Sequence, residues 1–310
     1  MTGTDGVAGY GARTAAEEVL AGCDLSGRTI IVTGANTGIG EATAAALAKA
    51  GAHVVYACRA RKTAEAAIAR LTSVDPGCRV AFAELDLASF ASIRRFAEQL
   101  SAQRIDALVC NAGLVTLSYA ETAEGFERTV GVSHIGHFLL TRLLMPRLLA
   151  AGAPRIVMVS STSHKQPSKL DFSNLPMSRD SFRGMTAYGQ AKLCNVLMAK
   201  SLQRRYGGQG LTACALHPGT LVTTQIGRNS LIFDLLMKLI SPFTKNPSQG
   251  AATSVWAYVH EPAADIAGQY LKDCHLARSS TESNDPAVAD RLWELSEGWL
   301  AAAGVLPDWP

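Results

Sequence analysis

The sequence has little of what would mark a membrane, secreted, metal-binding or nucleic-acid-binding protein. No apolar run reaches the ~20 residues that cross a bilayer. The greasiest segment, Ser230 to Pro242, is interrupted by Asp234 and Lys238. The start, MTGTDGVAGYGART, lacks a basic stretch followed by an apolar one, so no secretory signal is expected. Seven cysteines are scattered without a Cys-x-x-Cys pair or a His/Cys group at metal spacing. That argues for reduced thiols in a cytoplasmic protein. Charge is scarce too: 18% of residues are charged, the net charge is +3, and no basic stripe carries interleaved aromatics. Nucleic acid is therefore not an expected partner. No repeat, low-complexity tract or Pro/Gly/Ser linker divides the 310 residues.

What is present is a rhythm of apolar strands and helices. Expected strands are 28–34, 53–58, 79–85, 106–110, 155–160 and 211–217, with a seventh at 269–272. Helices are expected over 39–50, 62–71, 125–150 and 186–206, and over the stretch that Ser89 would cap, to Leu100. Near-continuous apolar strands alternating with helices imply a parallel sheet covered on both faces. The expected fold is a single-domain α/β doubly wound (Rossmann) sheet over 26–310. A leader occupies 1–25, a lid-like insertion lies around 220–250, and a helical tail closes the chain. Ligands of such sheets bind at the carboxyl ends of the strands, which is where the motifs fall.

Thr33-Gly34-Ala35-Asn36-Thr37-Gly38-Ile39-Gly40 follows the first strand and opens a helix. Glycines let backbone approach a pyrophosphate, and a helix N-terminus favours its charge. Gly34, Asn36, Thr37, Gly38, Ile39 and Gly40 are thus candidate dinucleotide contacts. An NAD site would want an acidic residue at the end of the second strand. Here that strand ends Ala57-Cys58-Arg59, followed by Arg61 and Lys62. A guanidinium suits a 2′-phosphate, so NADP(H) is the expected cofactor, with Arg59 its main cation and Arg61 and Lys62 a solvated helix start. Asp86 and Leu87, after the third strand, are candidates for the adenine edge. Asn111, Ala112 and Gly113, after the fourth, are small enough to let the cofactor pass.

Tyr188 and Lys192 lie four apart on one helix face. A neighbouring ammonium and an oxidised nicotinamide would lower the phenol pKa, fitting Tyr188 for acid/base work. Lys192 would also hold the nicotinamide ribose. Ser161, after the fifth strand, could orient a substrate oxygen. His134 and His137 are three apart and, without acidic partners, read as core or surface histidines rather than metal ligands.

These residues resemble the short-chain dehydrogenase/reductase family through TGANTGIG at 33–40, NAG at 111–113, SS at 160–161, YGQAK at 188–192 and HPG at 217–219. Within it, segments such as AYGQAKLCN and HPGTLVTTQIGR are most similar to retinol dehydrogenases and to the oxidoreductase domain of WW-domain-containing oxidoreductase. The resemblance implies catalysis by Ser161, Tyr188 and Lys192, with Pro218, Gly219 and Thr223 along the nicotinamide end. It implies a homo-oligomer, dimer or tetramer, built through helices that include the one bearing Tyr188. The family's fourth catalytic position, an asparagine holding a water for the proton path, is here Ser133. A shorter side chain there implies a slower relay. The apolar residues of 231–240 would lid a site for an apolar carbonyl or alcohol such as a retinoid, steroid or long aldehyde; a dimer or membrane-surface helix is the competing reading. The alternative to an enzyme is an NADP(H)-binding sensor with little turnover.

Overall fold

The computed structural model describes residues 9–219 and 245–306. Its centre is an eight-stranded sheet in the order β3-β2-β1-β4-β5-β6-β7-β8. The strands are β1 (Thr29–Thr33), β2 (His53–Cys58), β3 (Arg79–Glu84), β4 (Ala107–Cys110), β5 (Arg155–Val159), β6 (Thr212–His217), β7 (Tyr270–Lys272) and β8 (His275–Ala277). All neighbours pair in parallel except β7 and β8. Chain order reverses between β1 and β4, and that crevice is where a ligand of a doubly wound sheet sits.

Side-chain alternation along the strands feeds two cores. Ile31 of β1 joins the face packed by α4 (Phe90–Gln99), α6 (Gly136–Leu149), α7 (Gly184–Tyr206) and α9 (Pro286–Ala302). Ile30 and Val32 point the other way, toward α2 (Gly38–Lys49), α3 (Arg61–Val74) and α8 (Pro247–Val259). The segment expected to be a leader is joined to this second core: α1 (Ala16–Val19) buries Ala16 and Val19, with Leu20 and Leu25 behind it. Fully burying one such aliphatic side chain contributes ~1.5–3 kcal/mol.

The expected helix from Gly125 begins later. Gly125 has φ +83°, and the buried Glu127 carboxylate caps the chain by accepting from the backbone of Thr129 and Val130 at 2.7 and 3.0 Å. The helix then runs through a short turn α5 (Arg128–Val130) and a widened π segment, Gly131–Ile135, into α6. Ser133 lies in that π segment, a distortion that recurs at functional sites. The expected seventh strand is present, and β8 follows it through a two-residue turn in which Asp273 and Cys274 have φ of +54° and +61°. Two consecutive left-handed residues make the hairpin turn whose twist matches its strands.

Helix α7 is buried on nearly every side. The sheet covers its inner face. Outside it lies α9, fastened by Arg204 and Arg205 to Asp290 and by Lys200 to Asn284. All seven cysteines carry free thiols, as expected. Among the described residues, no helix is long and apolar enough to cross a membrane.

Candidate active site

The nucleotide end is built from unspent backbone donors. Gly34 and Gly38 turn the chain with φ of +65° and +60°. Thr37 caps α2 in position only; its side chain makes no capping hydrogen bond. The first N–H groups of this 12-residue helix are therefore free for an anion. At Gly40 an added Cβ would lie 2.3 Å from the Gly34 carbonyl oxygen and 2.4 Å from Asn111 Nδ2. Only glycine lets α2 close on β1 and β4 here. Ile39 packs beside it on the sheet, and Asn36 donates from Nδ2 to Thr63 Oγ1 at 2.9 Å.

The three cations after β2 are all exposed. Arg61 pairs with Glu65 at 3.2 Å and lies over the Phe82 ring. Lys62 is exposed on α3, and Arg59, exposed at the end of β2, makes neither an ion pair nor a hydrogen bond among the described residues. Burial pushes the Cys58 thiol up to about 12, so no negative charge stands where an NAD site would place one. Asp86 accepts from Ala88 N at 2.9 Å through one carboxylate oxygen. Leu87 is buried, its carbonyl facing Gly136 so closely that a Cβ there would come within 2.4 Å.

The Asn111-Ala112-Gly113 turn is fixed by Thr33 and His137, whose part in it the sequence did not show. Thr33 Oγ1 accepts from the backbone N–H of Asn111 (3.0 Å) and Ala112 (2.9 Å), and lies 2.9 Å from His137 Nε2. His137 Nδ1 lies 3.1 Å from the Ser133 carbonyl. A carbonyl only accepts, so Nδ1 must carry the proton; Nε2 then accepts from the Thr33 hydroxyl. Every atom of the chain Ser133–His137–Thr33 is thereby assigned. Burial holds His137 neutral, its pKa down at about 4, and takes His134 to about 3. Both are core histidines, and no metal-binding cluster occurs among the described residues.

Ser161, Tyr188, Lys192 and Ser133 converge on the crevice. The Ser161 hydroxyl caps the turn after β5, accepting from Ser163 N at 3.2 Å and donating to Ser163 Oγ at 3.3 Å, and it lies near enough to the Tyr188 phenol to favour its ionised form. Lys192 Nζ stands 5.6 Å from the centre of the Tyr188 ring and spends one proton on the Val159 carbonyl at 3.0 Å. A Cβ on the exposed Gly113 would come 2.9 Å from Lys192 Nζ and 3.5 Å from Ser133 Oγ. The two polar heads thus share a small space that opens only because residue 113 has no side chain. Ser133 Oγ is buried there with no partner. Gly189 matters as much. A Cβ on it would fall 1.6 Å from the Gln166 carbonyl oxygen and 2.9 Å from that of Ser163. The Ser161 turn lies directly on α7 between Tyr188 and Lys192.

The electrostatics bear on one part of an expectation, the effect of Lys192 on Tyr188. In the free protein the Tyr188 pKa is raised, not lowered: burial dominates, and the Ser161 hydrogen bond only offsets it. Lys192 is itself desolvated, its pKa brought down to about 8. An ammonium over a ring face, rather than at the phenol oxygen, leaves the phenol protonated. Toward the nicotinamide end, the Pro218 carbonyl accepts from Lys245 Nζ at 3.4 Å and Gly219 takes φ +115°. Thr223 and the apolar segment 231–240 lie outside the described residues.

The family model for short chain dehydrogenase matches residues 28–173. The WW domain-containing oxidoreductase of Danio rerio is 41% identical over 296 residues, spanning 93% of this chain and 72% of the relative. Retinol dehydrogenase 12 of Mus musculus is 39% identical over 274 residues, 88% of this chain and 86% of that one. An uncharacterized protein from Mycobacterium paratuberculosis superposes with a TM-score of 0.73 at 31% identity, covering 94% of this chain and 98% of its own. A structure with bound NADP, described as an NAD(P)-dependent gluconate 5-dehydrogenase from Beutenbergia cavernae, superposes with a TM-score of 0.63 at 27% identity, covering 81% and 96%.

Proposed function

This chain belongs to the short-chain dehydrogenase/reductase family and is an oxidoreductase, and from that premise we propose that it is an NADP(H)-dependent enzyme interconverting an apolar carbonyl compound and its alcohol. One observation carries the reading. The Tyr188 phenol, the Ser161 hydroxyl and the Lys192 ammonium meet at the mouth of a crevice whose other end offers free helix N–H groups and an uncommitted Arg59.

The residues fit a phosphorylated dinucleotide. The uncapped N-terminus of α2 would hold the pyrophosphate, with Gly34, Gly38 and Gly40 keeping side chains out of its way. Arg59 would take the 2′-phosphate with charge-assisted hydrogen bonds. Asp86 and Leu87 would flank the base, Asn111 to Gly113 would line the middle, and Pro218, Gly219 and Thr223 would border the nicotinamide. When bound, this cofactor supplies the hydride that goes to the carbonyl carbon.

The chain's own groups then handle the oxygen. Ser161 donates a hydrogen bond that orients it. Tyr188, kept neutral by burial, gives its phenolic proton to it as charge develops. Lys192 stabilises the phenolate left behind, and its two uncommitted N–H bonds face Gly113, where the ribose would lie. Ser133 Oγ opens onto the same space, so the proton that restores the phenol would come from that side, through Lys192 to Tyr188. In oxidation the same steps run backward.

The substrate class, a retinoid, steroid or long aldehyde, is supported by the retinol dehydrogenase similarity and by the composition of 231–240. Seven unpaired thiols fit a reducing, cytoplasmic setting. The family resemblance implies a homo-oligomer built through helices that include the Tyr188 helix, whose C-terminal part is fastened to the chain's own α9.

The test is NADPH oxidation with decanal, all-trans-retinal and a steroid ketone. Turnover that Tyr188→Phe abolishes, with NADPH binding kept, supports the enzyme. Tight NADPH binding without turnover on any of them favours the sensor reading, to which the unpartnered Ser133 hydroxyl lends its one physical argument.

A further inference from the structure

Beyond the triad, the turn that carries Ser161 is gripped from behind by a buried histidine. His164 lies three residues on, in the 3-10 turn Thr162–Lys165, and is fully buried. Its Nε2 accepts from the backbone N–H of Ser280 at 3.1 Å. That fixes the tautomer, because a ring nitrogen accepting a hydrogen bond holds no proton. Nδ1 must then carry one, and it lies 2.6 Å from the Ser161 carbonyl, which can only accept. The ring packs against Tyr270 with centroids 4.7 Å apart. His164 thus ties the Ser161 turn to a segment 116 positions beyond itself. The same distant segment also grips Leu170, whose backbone N–H donates to Glu282 at 3.2 Å.

The front of this turn is fixed as well. Gly189 lets the Gln166 carbonyl press onto α7, so the turn cannot move inward. What remains free is outward swing or rotation about the Ser161 backbone. Ser160, just before it, is held by its N–H on the Leu216 carbonyl and its hydroxyl on the Lys192 carbonyl, both at 2.7 Å. At Ser161 itself, the His164 side chain holds the carbonyl from outside, beside the local bond from His164 N at 3.1 Å.

We propose that His164 is a positioning residue for the reaction: as a neutral strut between Ser280 N–H and the Ser161 carbonyl, it sets the Ser161 hydroxyl against Tyr188 and the substrate oxygen. This rests on the reading of Ser161 and Tyr188 as the reacting pair. The δ nitrogen makes the contact that positions Ser161, and the Ser280 bond and the packing on Tyr270 hold the ring that makes it. Asparagine can present a donor at the δ position; glutamine places its amide one bond further out, at the Ser280 end. Phenylalanine keeps the packing on Tyr270 and loses both bonds.

The experiment uses the full chain and reads the Tyr188 contact with and without turnover. In protein labelled with 13Cζ-tyrosine, the Tyr188 resonance is assigned by its loss in Tyr188→Phe. Ser161→Ala should shift it. His164→Phe and His164→Gln should shift it in the same sense, and neither should add to the shift in a Ser161→Ala background. His164→Asn, which keeps only the δ donor, should shift it less than either. In NADPH oxidation with decanal, His164→Phe and His164→Gln should lower kcat about tenfold, since small misplacements of reacting groups are costly. KM and NADPH affinity should be unchanged, and no further loss should appear once Ser161 is alanine. An unmoved resonance in both variants, or shifts that add to those of Ser161→Ala, overturns the proposal. If His164→Phe does not fold, the contrast between His164→Asn and His164→Gln decides it. A wild-type protein inert toward every carbonyl compound sinks the functional reading alone, and the resonance still decides the role of His164.

Discussion

The two ends of the crevice are built on opposite plans. The nucleotide end is exposed and uncommitted: Thr37 leaves the α2 donors unspent, and Arg59 stands in solvent. The catalytic end is buried and committed. His137 spends both ring nitrogens, His164 spends both of its own, and Gly189 brings backbone onto backbone. One end is made to receive charge and the other to hold three polar heads still. A substitution at the first should change what binds, and at the second how well the bound molecule reacts.

The largest effect expected is from Gly189→Ala. A methyl group 1.6 Å from the Gln166 oxygen forces the Ser161 turn off α7. Overpacking of this kind costs ~1–3 kcal/mol, and kcat should fall at least ~100-fold by misplacing Ser161. NADPH affinity, measured by fluorescence titration, should hold. Equal loss of both would dissolve the contrast between the ends. Next is Arg59→Ala, which removes a charge-assisted contact worth ~1.5–3 kcal/mol. It should weaken NADPH by roughly 10- to 100-fold and NADH hardly at all, with kcat at saturation unchanged.

A smaller effect is a pH dependence. The Lys192 pKa falls from its ordinary value to about 8 on folding. Between about pH 8 and 10 the unfolded chain holds a proton that the folded one has shed, so stability must rise with pH across that window. Urea melts of wild type against Lys192→Met should show this rise in the wild type and not in the variant. The smallest is Ser133→Asn, which reaches further into the space shared with Lys192 Nζ. It should raise kcat a few-fold with KM unchanged. A fall in kcat would mean that the space cannot admit the longer side chain.

What the sequence revealed divides along the same line. The strands, the glycine turn and the proximity of Tyr188 and Lys192 were legible because each is a local pattern: an apolar run, a turn, a helical spacing. Thr33, His137, His164 and Gly189 were not, because their partners come from distant segments. A threonine ending a strand or a histidine in a helix carries no local sign of what it will hold. The β8 hairpin was missed because Asp273-Cys274 takes a turn that Asn-Gly usually announces. Helix α8 could have been read. Asn246 and Gln249 form a reciprocal cap around Pro247, a start signal plain in the sequence. The late start of the Gly125–Ala150 helix was also readable in part, since Gly125 is a breaker and Glu127 a cap.

A crystal structure of the protein with NADP+ tests the central claim most directly. The account predicts the 2′-phosphate on Arg59, the pyrophosphate on the N-terminus of α2, and the nicotinamide C4 carbon within reach of an oxygen hydrogen-bonded to Tyr188 and Ser161. A nicotinamide ring bound away from Tyr188, with that hydroxyl turned elsewhere, would contradict it.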